Sequence, residues 1–139
     1  MSTDDFPLPG QVGEPFLWHA KDPKNLGCLK NPSSKGTAIG QCGDSIDVSL
    51  CIDRGTITDI QVVPRGCVYT LVCASAMSEL AKGLDLDQAL ELDPNEVVAA
   101  LGGLPEDHMH CARLAVNTLG EAIADYYRND SNSGSKKRV

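Results

Sequence analysis

A chain of 139 residues with 42% hydrophobic and 22% charged residues has enough apolar material for one domain whose core needs no disulfide staples. Its formal net charge of −7 makes the surface as a whole repel phosphate backbones and anionic headgroups, so neither nucleic acid nor a membrane is an expected partner. No apolar run approaches the roughly 20 residues that span a bilayer, and Met1-Ser2-Thr3-Asp4-Asp5 lacks the basic-then-apolar plan of a signal peptide; a cytoplasmic location is expected.

The first fifteen residues carry Pro7, Pro9, Gly10, Gly13 and Pro15, which deny a regular backbone ladder and predict a flexible arm over 1–15. Phe16 to Ala20 forms a short helix ahead of Pro23, and Asp22 through Gly40 reads as loop. Ile46, Val48, Leu50 and Ile52 alternate with Asp47, Ser49, Cys51 and Asp53 at the period of a half-buried strand, and Arg54-Gly55 turns the chain. The β-branched run from Ile57 to Val62 makes a second strand, hairpinned on the first and ended by Pro64-Arg65-Gly66.

Val68 to Lys82 has helical composition with Gly83 as its stop. Asp85 followed by Gln88, and Asp93 followed by Pro94 and Glu96, are two helix starts with capping side chains and reciprocal partners. After Gly102-Gly103, a long helix from about Asp107 to Tyr127 presents Ala112, Ala115, Leu119, Ala122, Ile123 and Tyr126 as one apolar stripe. Residues 16–128 thus form the domain, and 129–139, rich in Ser, Asn, Gly and basic residues, are expected to be a disordered tail.

Six cysteines in a chain without a signal peptide point to metal or sulfur chemistry rather than to a disulfide framework. Cys42-Gly43-Asp44 sets a soft thiolate beside a hard carboxylate on a backbone that glycine lets turn sharply. Cys67 follows Gly66 where a helix begins, so free amide N–H groups favour its thiolate. Cys111 lies in the first turn of the long helix, where the same field should lower its proton affinity, and His110 beside it adds an imidazole. For each sulfur the bland alternative is a buried cysteine acting as a small hydrophobe. Cys51, inside a strand, is assigned to structure, and Cys28 to a solvent-facing loop. Cys73, six positions beyond Cys67, is turned about 120° away and carried about 9 Å along the helix, too far for easy shared ligation. His19 and His108 read as surface or cap positions, the latter of interest only for its nearness to Cys111.

Cys42-Gly43-Asp44, Gly66-Cys67 with the following Ala74-Ser75-Ala76-Met77-Ser78-Glu79-Leu80 helix, and Leu101-Gly102-Gly103-Leu104-Pro105 leading into His110-Cys111 resemble the IscU and NifU N-terminal family of iron–sulfur cluster scaffolds. Asp22-Pro23-Lys24-Asn25-Leu26-Gly27 extends the likeness upstream, so that it covers about Asp22 to Tyr127. The resemblance implies an α+β fold of the SufE/NifU-like kind, with a small antiparallel sheet of about three strands packed against several helices. It implies a non-enzymatic scaffold that assembles a transient [2Fe-2S] cluster on Cys42, Cys67 and Cys111, with Asp44 or His110 as fourth ligand or release control.

The partners so implied are a cysteine desulfurase, an iron or electron donor and apo iron–sulfur acceptor proteins, with the chain a monomer or homodimer. Leu104-Pro105-Glu106-Asp107-His108 lacks the second proline and the lysine of members served by an Hsp70-type chaperone, which speaks against chaperone-assisted release. Two readings stand beside the scaffold. One is a zinc-bound sulfur acceptor, a sulfurtransferase working with a desulfurase, with Zn2+ on the same side chains; the other is a structural zinc module.

Overall fold

The computed structural model describes the backbone of residues 13–138 and the side chains of residues 13–129. Most of the expected arm, and the side chains of the expected tail beyond Asn129, lie outside the described residues. Helix α1 spans Glu14–Lys21, and strands β1 (Ser34–Ile39), β2 (Ser45–Asp53) and β3 (Thr56–Arg65) follow. Helices α2 (Val68–Ala81), α3 (Leu86–Leu90), α4 (Pro94–Ala100) and α5 (Met109–Arg138) complete the chain, with a 3-10 turn over Glu106–His108 entering α5. The architecture is α+β, an antiparallel sheet in the order β1-β2-β3 with helices packed on it. No helix among the described residues is long and apolar enough to cross a membrane.

The hairpin forms where its turn chemistry places it. Arg54 and Gly55 both have positive φ, 54° and 78°, the backbone that a tight two-residue connection demands. Ile46, Val48 and Leu50 are buried, but the register shifts between Cys51 and Ile52, which leaves Ile52 half-buried and buries both Ile57 and Ile60. That bulge explains why strict alternation across the second strand does not hold.

β1 corrects the expected loop. Its sequence, Ser34-Lys35-Gly36-Thr37-Ala38-Ile39, is short and glycine-containing and carries no apolar alternation. Tertiary context makes it a strand: it pairs with β2 on one side and lies against α5 on the other. Gly36 permits this, because a Cβ there would strike the Ala122 backbone. The Lys35 amide donates to Asp125 Oδ2 at 3.0 Å, which tethers the strand to the same helix.

Helix α2 is the central element. Val72, Cys73, Ala74, Ser75, Ala76, Met77 and Ser78 are all buried, because β3, α1, α4 and α5 enclose it. The expected stripe of α5 is buried from Ala112 to Ile123, with Tyr126 half-buried. The capping boxes at Asp85 and Asp93 are both formed. Three boundaries differ from expectation. α1 begins at Glu14, so the last residues assigned to the arm are helical; α5 begins at Met109; and its backbone continues as helix to Arg138 rather than stopping near Tyr127. Weak local propensity beyond Asn129 does not break a helix already propagating from a packed segment.

His19 also departs from the surface position expected of it, for it is only 7% exposed. The Lys24 amide donates to Ser75 Oγ at 2.7 Å, so the Ser75 hydroxyl proton is free for His19 Nδ1, also at 2.7 Å. The imidazole proton is left on Nε2, which faces Glu79 at 3.5 Å. Burial lowers the His19 pKa below its ordinary 6.5, against the upward pull of Glu79 and with a smaller downward push from Lys24. The unfolded chain therefore binds this proton more readily, and stability falls as pH drops below 6.5. Replacing His19 with Gln is expected to flatten that acid-side loss, measured as the change in denaturant midpoint between pH 7.5 and pH 5.5. Parallel losses in both proteins would contradict the assignment.

Candidate metal and sulfur site

Three chain junctions meet at one end of the sheet. Antiparallel pairing sets Ser45 against Arg65, so the β1–β2 turn carrying Cys42 and Asp44 stands beside the β3–α2 junction carrying Gly66 and Cys67. Leu114, 5% exposed, packs against Gly40 at the start of that turn and seats the beginning of α5, with His110 and Cys111, on the same end. The turn is closed by the Gly40 amide donating to the Asp44 carbonyl at 2.7 Å, and Gly43 supplies the left-handed φ of 86° that it needs. A Cβ on Gly66 would lie 2.8 Å from Asp44 Cβ and 3.0 Å from Thr70 Oγ1, so glycine is required for the two junctions to approach so closely.

The predicted side chains converge. His110 Nε2 lies 3.4 Å from Cys42 Sγ and 3.6 Å from Cys111 Sγ. Asp44, His110 and Cys111 each offer a ligand atom within 4.8 Å of the others. Cys67 is joined to Cys111 in a second group of the same tightness, whose third member is His108. Cys42, Gly43, Asp44, Arg65, Gly66, Cys67, His108 and His110 line an open cleft of about 340 Å³. Cys28 and Cys51 stay outside the cleft, and Cys73 is sealed in the core at 0% exposure with its thiol pKa pushed up by burial and by the thiols of Cys111 and Cys67. All six cysteines are free thiols.

Two residues join the site beyond those predicted for it: Thr70, which the sequence did not single out, and His108, which it noted only for its nearness to Cys111. Thr70, fully buried, donates its hydroxyl to Asp44 Oδ2 and lies 3.8 Å from Cys67 Sγ and 3.7 Å from Cys111 Sγ. Its one proton serves the carboxylate while the sulfurs are protonated thiols and can turn to a sulfur once a thiolate forms there. His108 stacks on Tyr69, with ring centroids 3.7 Å apart and planes 9° apart. Its spacing from Cys111, three positions across the 3-10 turn and the first turn of α5, was a signal available in the sequence, because such residues share a face. Thr70 is likewise three positions beyond Cys67.

The thiols are not equivalent. Cys42 and Cys67 are exposed, whereas Cys111 is 0% exposed. Burial pushes the Cys111 pKa up to about 11; the Thr70 hydroxyl works the other way but more weakly, and Cys67, Asp44 and Cys42 add to the rise. This overturns the expectation that the helix start would lower its proton affinity. Desolvation outweighs the helix field, which is worth about 0.3–1 kcal/mol and fades within a turn. In the metal-free reduced protein, an alkylating reagent at pH 8 is expected to modify the exposed Cys28, Cys42 and Cys67 first and to leave Cys111 and Cys73 until the protein unfolds. Mass spectrometry of timed samples checks the order, and equal rates at Cys42 and Cys111 would refute it.

The likeness to known proteins is extensive. Residues 14–133 match the family model described as the NifU-like N terminal domain. The chain is 35% identical over 114 residues to the iron-sulfur cluster assembly scaffold protein IscU 1 of Archaeoglobus fulgidus, covering 81% of this chain and 74% of that protein. It is 30% identical over 119 residues to the iron-sulfur cluster assembly scaffold protein IscU of Aquifex aeolicus, covering 84% of this chain and 76% of that one. The crystal structure of a nitrogen-fixing NifU-like protein (N-terminal) from Brucella abortus shares the fold with a TM-score of 0.63 at 19% identity, over 84% of this chain and 94% of its own. With its three cysteine-bearing junctions at one sheet end and this match over most of its length, the chain belongs to the NifU-like N-terminal domain family.

Proposed function

We propose that the chain is a scaffold on which an iron–sulfur cluster, its cargo, is assembled and from which it is handed on. The observation that carries this reading is the convergence of three thiols from separate elements, Cys42 and Cys67 lining one open cleft with a carboxylate and imidazoles and Cys111 buried beside them within ligand distance. Thiolates are the donors that iron–sulfur clusters take, and a deep or four-thiolate site would hold its cluster too firmly to release it. Cys42, Cys67 and Cys111 are the ligands in this proposal, and Asp44 or His110 completes the set as the weaker, exchangeable donor. The cargo is a [2Fe-2S] cluster, the chain acts as a carrier rather than an enzyme, and the compartment is the reducing cytoplasm. Its scaffold-named relatives support the same function.

The exposure of Cys42 and Cys67 suits them to receive sulfur. A thiolate attacks the outer sulfur of a cysteine desulfurase persulfide; the new S–S bond forms as the donor's S–S bond breaks and its cysteine leaves as thiolate. Reduction of that sulfur to sulfide takes two electrons from a separate electron donor, iron comes from an iron donor, and apo iron–sulfur proteins receive the product. Cys111 must lose its proton to bind, so the metal-loaded state is favoured as pH rises toward 11 and weakens as pH falls.

Zinc in the same cleft, serving a sulfur acceptor, is the second reading; the mixed sulfur and nitrogen donors favour it, since zinc takes both. A purely structural zinc finds less support, because one continuous apolar core already joins the sheet to its helices.

Anaerobic reconstitution with ferrous iron, cysteine and a desulfurase is expected to give visible cluster absorbance that moves to an apo-ferredoxin; a protein that stays colourless, or whose colour does not transfer, would falsify the scaffold reading. Cys42→Ala, Cys67→Ala and Cys111→Ala should each abolish the stable cluster, whereas Cys51→Ala and Cys73→Ala should keep it. Asp44→Ala is expected to lengthen the lifetime of the bound cluster, followed by absorbance decay. A shorter lifetime would make the carboxylate a required holder.

A further inference from the structure

His108 is a cleft residue without a task in the scheme above. One of its ring nitrogens lies within 4.8 Å of the sulfurs of both Cys67 and Cys111. Its Nδ1 is buried and has no hydrogen-bond partner among the described residues, a condition that native structures seldom tolerate without a reason. The ring is also held firmly. It stacks on Tyr69, which packs at 5.4 Å on Phe16, itself 3% exposed, and the His108 amide donates to the Pro105 carbonyl at 2.8 Å. Stacking occupies the faces of the imidazole and leaves the in-plane nitrogen lone pair free, so the Tyr69 contact orients His108 without consuming its donor capacity.

We propose that His108 is a metal ligand in its own right, binding through Nδ1 together with the thiolates of Cys67 and Cys111, and that Tyr69 is its positioning residue. The proposal rests on the reading of the cleft as a metal-handling site and adds to it a second imidazole. The donors then form two overlapping sets that pivot on Cys111. One is Cys67, His108 and Cys111; the other is Asp44, His110 and Cys111, with Cys42 only 3.4 Å from His110. Donor atoms on one tetrahedral zinc lie about 3.5–3.8 Å apart, given bonds of about 2.0 Å to nitrogen and 2.3 Å to sulfur, so the first set closes on an ion with movements of little more than about 1 Å. The cleft offers more donors than a tetrahedral ion accepts, and one imidazole can take a metal as the other lets go. Bound metal can thereby be held while ligands exchange.

The test uses the full reduced chain labelled with 15N-histidine, titrated anaerobically with Zn2+ alone. Long-range 1H–15N correlation spectra should show His108 Nδ1 shifting to a metal-bound resonance, and the shift should persist in His110→Ala. Chelator competition should show His108→Ala weakening zinc by about 10-fold to 100-fold and Tyr69→Leu by about 10-fold, with Tyr69→Phe, which keeps the stacking ring, restoring wild-type affinity. Unmoved His108 nitrogens on zinc addition, metallation at Nε2, or unchanged zinc affinity in His108→Ala would overturn the proposal. The wild-type spectrum needs no variant to fold. A protein that builds and transfers a cluster while His108 stays unmetallated refutes this inference alone, and one that binds zinc through His108 but yields no transferable cluster refutes the scaffold reading alone.

Discussion

The antiparallel register of β2 on β3 is the constraint on which the site depends. Ser45 opposite Arg65 brings the end of one connection beside the start of the next, and Cys42, Asp44, Gly66 and Cys67 come together only because of it. The buried face of Ile46, Val48 and Leu50 enforces that register, since a slip by one residue would turn all three to solvent. Each such side chain contributes about 1.5–3 kcal/mol of burial, well beyond what an exposed pair such as Arg65 with Asp47 supplies at the same sheet end. Apolar packing thus sets the geometry of a polar cleft that contributes little to the core itself.

Within the cleft, burial sorts chemically identical side chains into different parts. Cys42 and Cys67 face solvent, while Cys111 is buried beside them with its proton held firmly. Thr70 ties the carboxylate of Asp44 to this arrangement with one hydroxyl that also touches two sulfurs. When those sulfurs become thiolates, the hydroxyl has competing acceptors, and its hold on Asp44 is open to exchange. A donor set that mixes firm and exchangeable members suits a centre that must be both built and surrendered.

The first helix is part of the same machinery. Phe16 supports Tyr69, Tyr69 supports His108, and His19 locks α1 to α2 through Ser75. The loop after α1 is fixed as well, for the Asn25 carbonyl accepts from the Val62 amide at 2.8 Å, the Gly27 amide donates to the Val62 carbonyl at 2.9 Å, and the Asn25 side chain donates to Ser78 Oγ at 2.9 Å. The placement of a cleft histidine therefore depends on the docking of an element that contributes no donor of its own.

How far the sequence reaches can be judged residue by residue. The hairpin around Arg54-Gly55, the capped helices at Asp85 and Asp93 and the apolar stripe of α5 were legible because each is encoded by residues close together in the chain. Cys42, Asp44, Cys67, His110 and Cys111 stood out for the same reason, as short donor motifs at element ends. β1 was not legible, since its pairing with β2 and its seat against α5 come from distant partners and not from Ser34 to Ile39 themselves. Nor were the burial of His19, the raised proton affinity of Cys111, or the contact of buried Thr70 with Asp44, while for His108 only its spacing from Cys111 gave a hint. The sequence by itself determined which donor types exist and at which element ends they sit. The tertiary structure decided which of them meet and which thiol is desolvated, because proximity and local dielectric are set by elements remote in the chain.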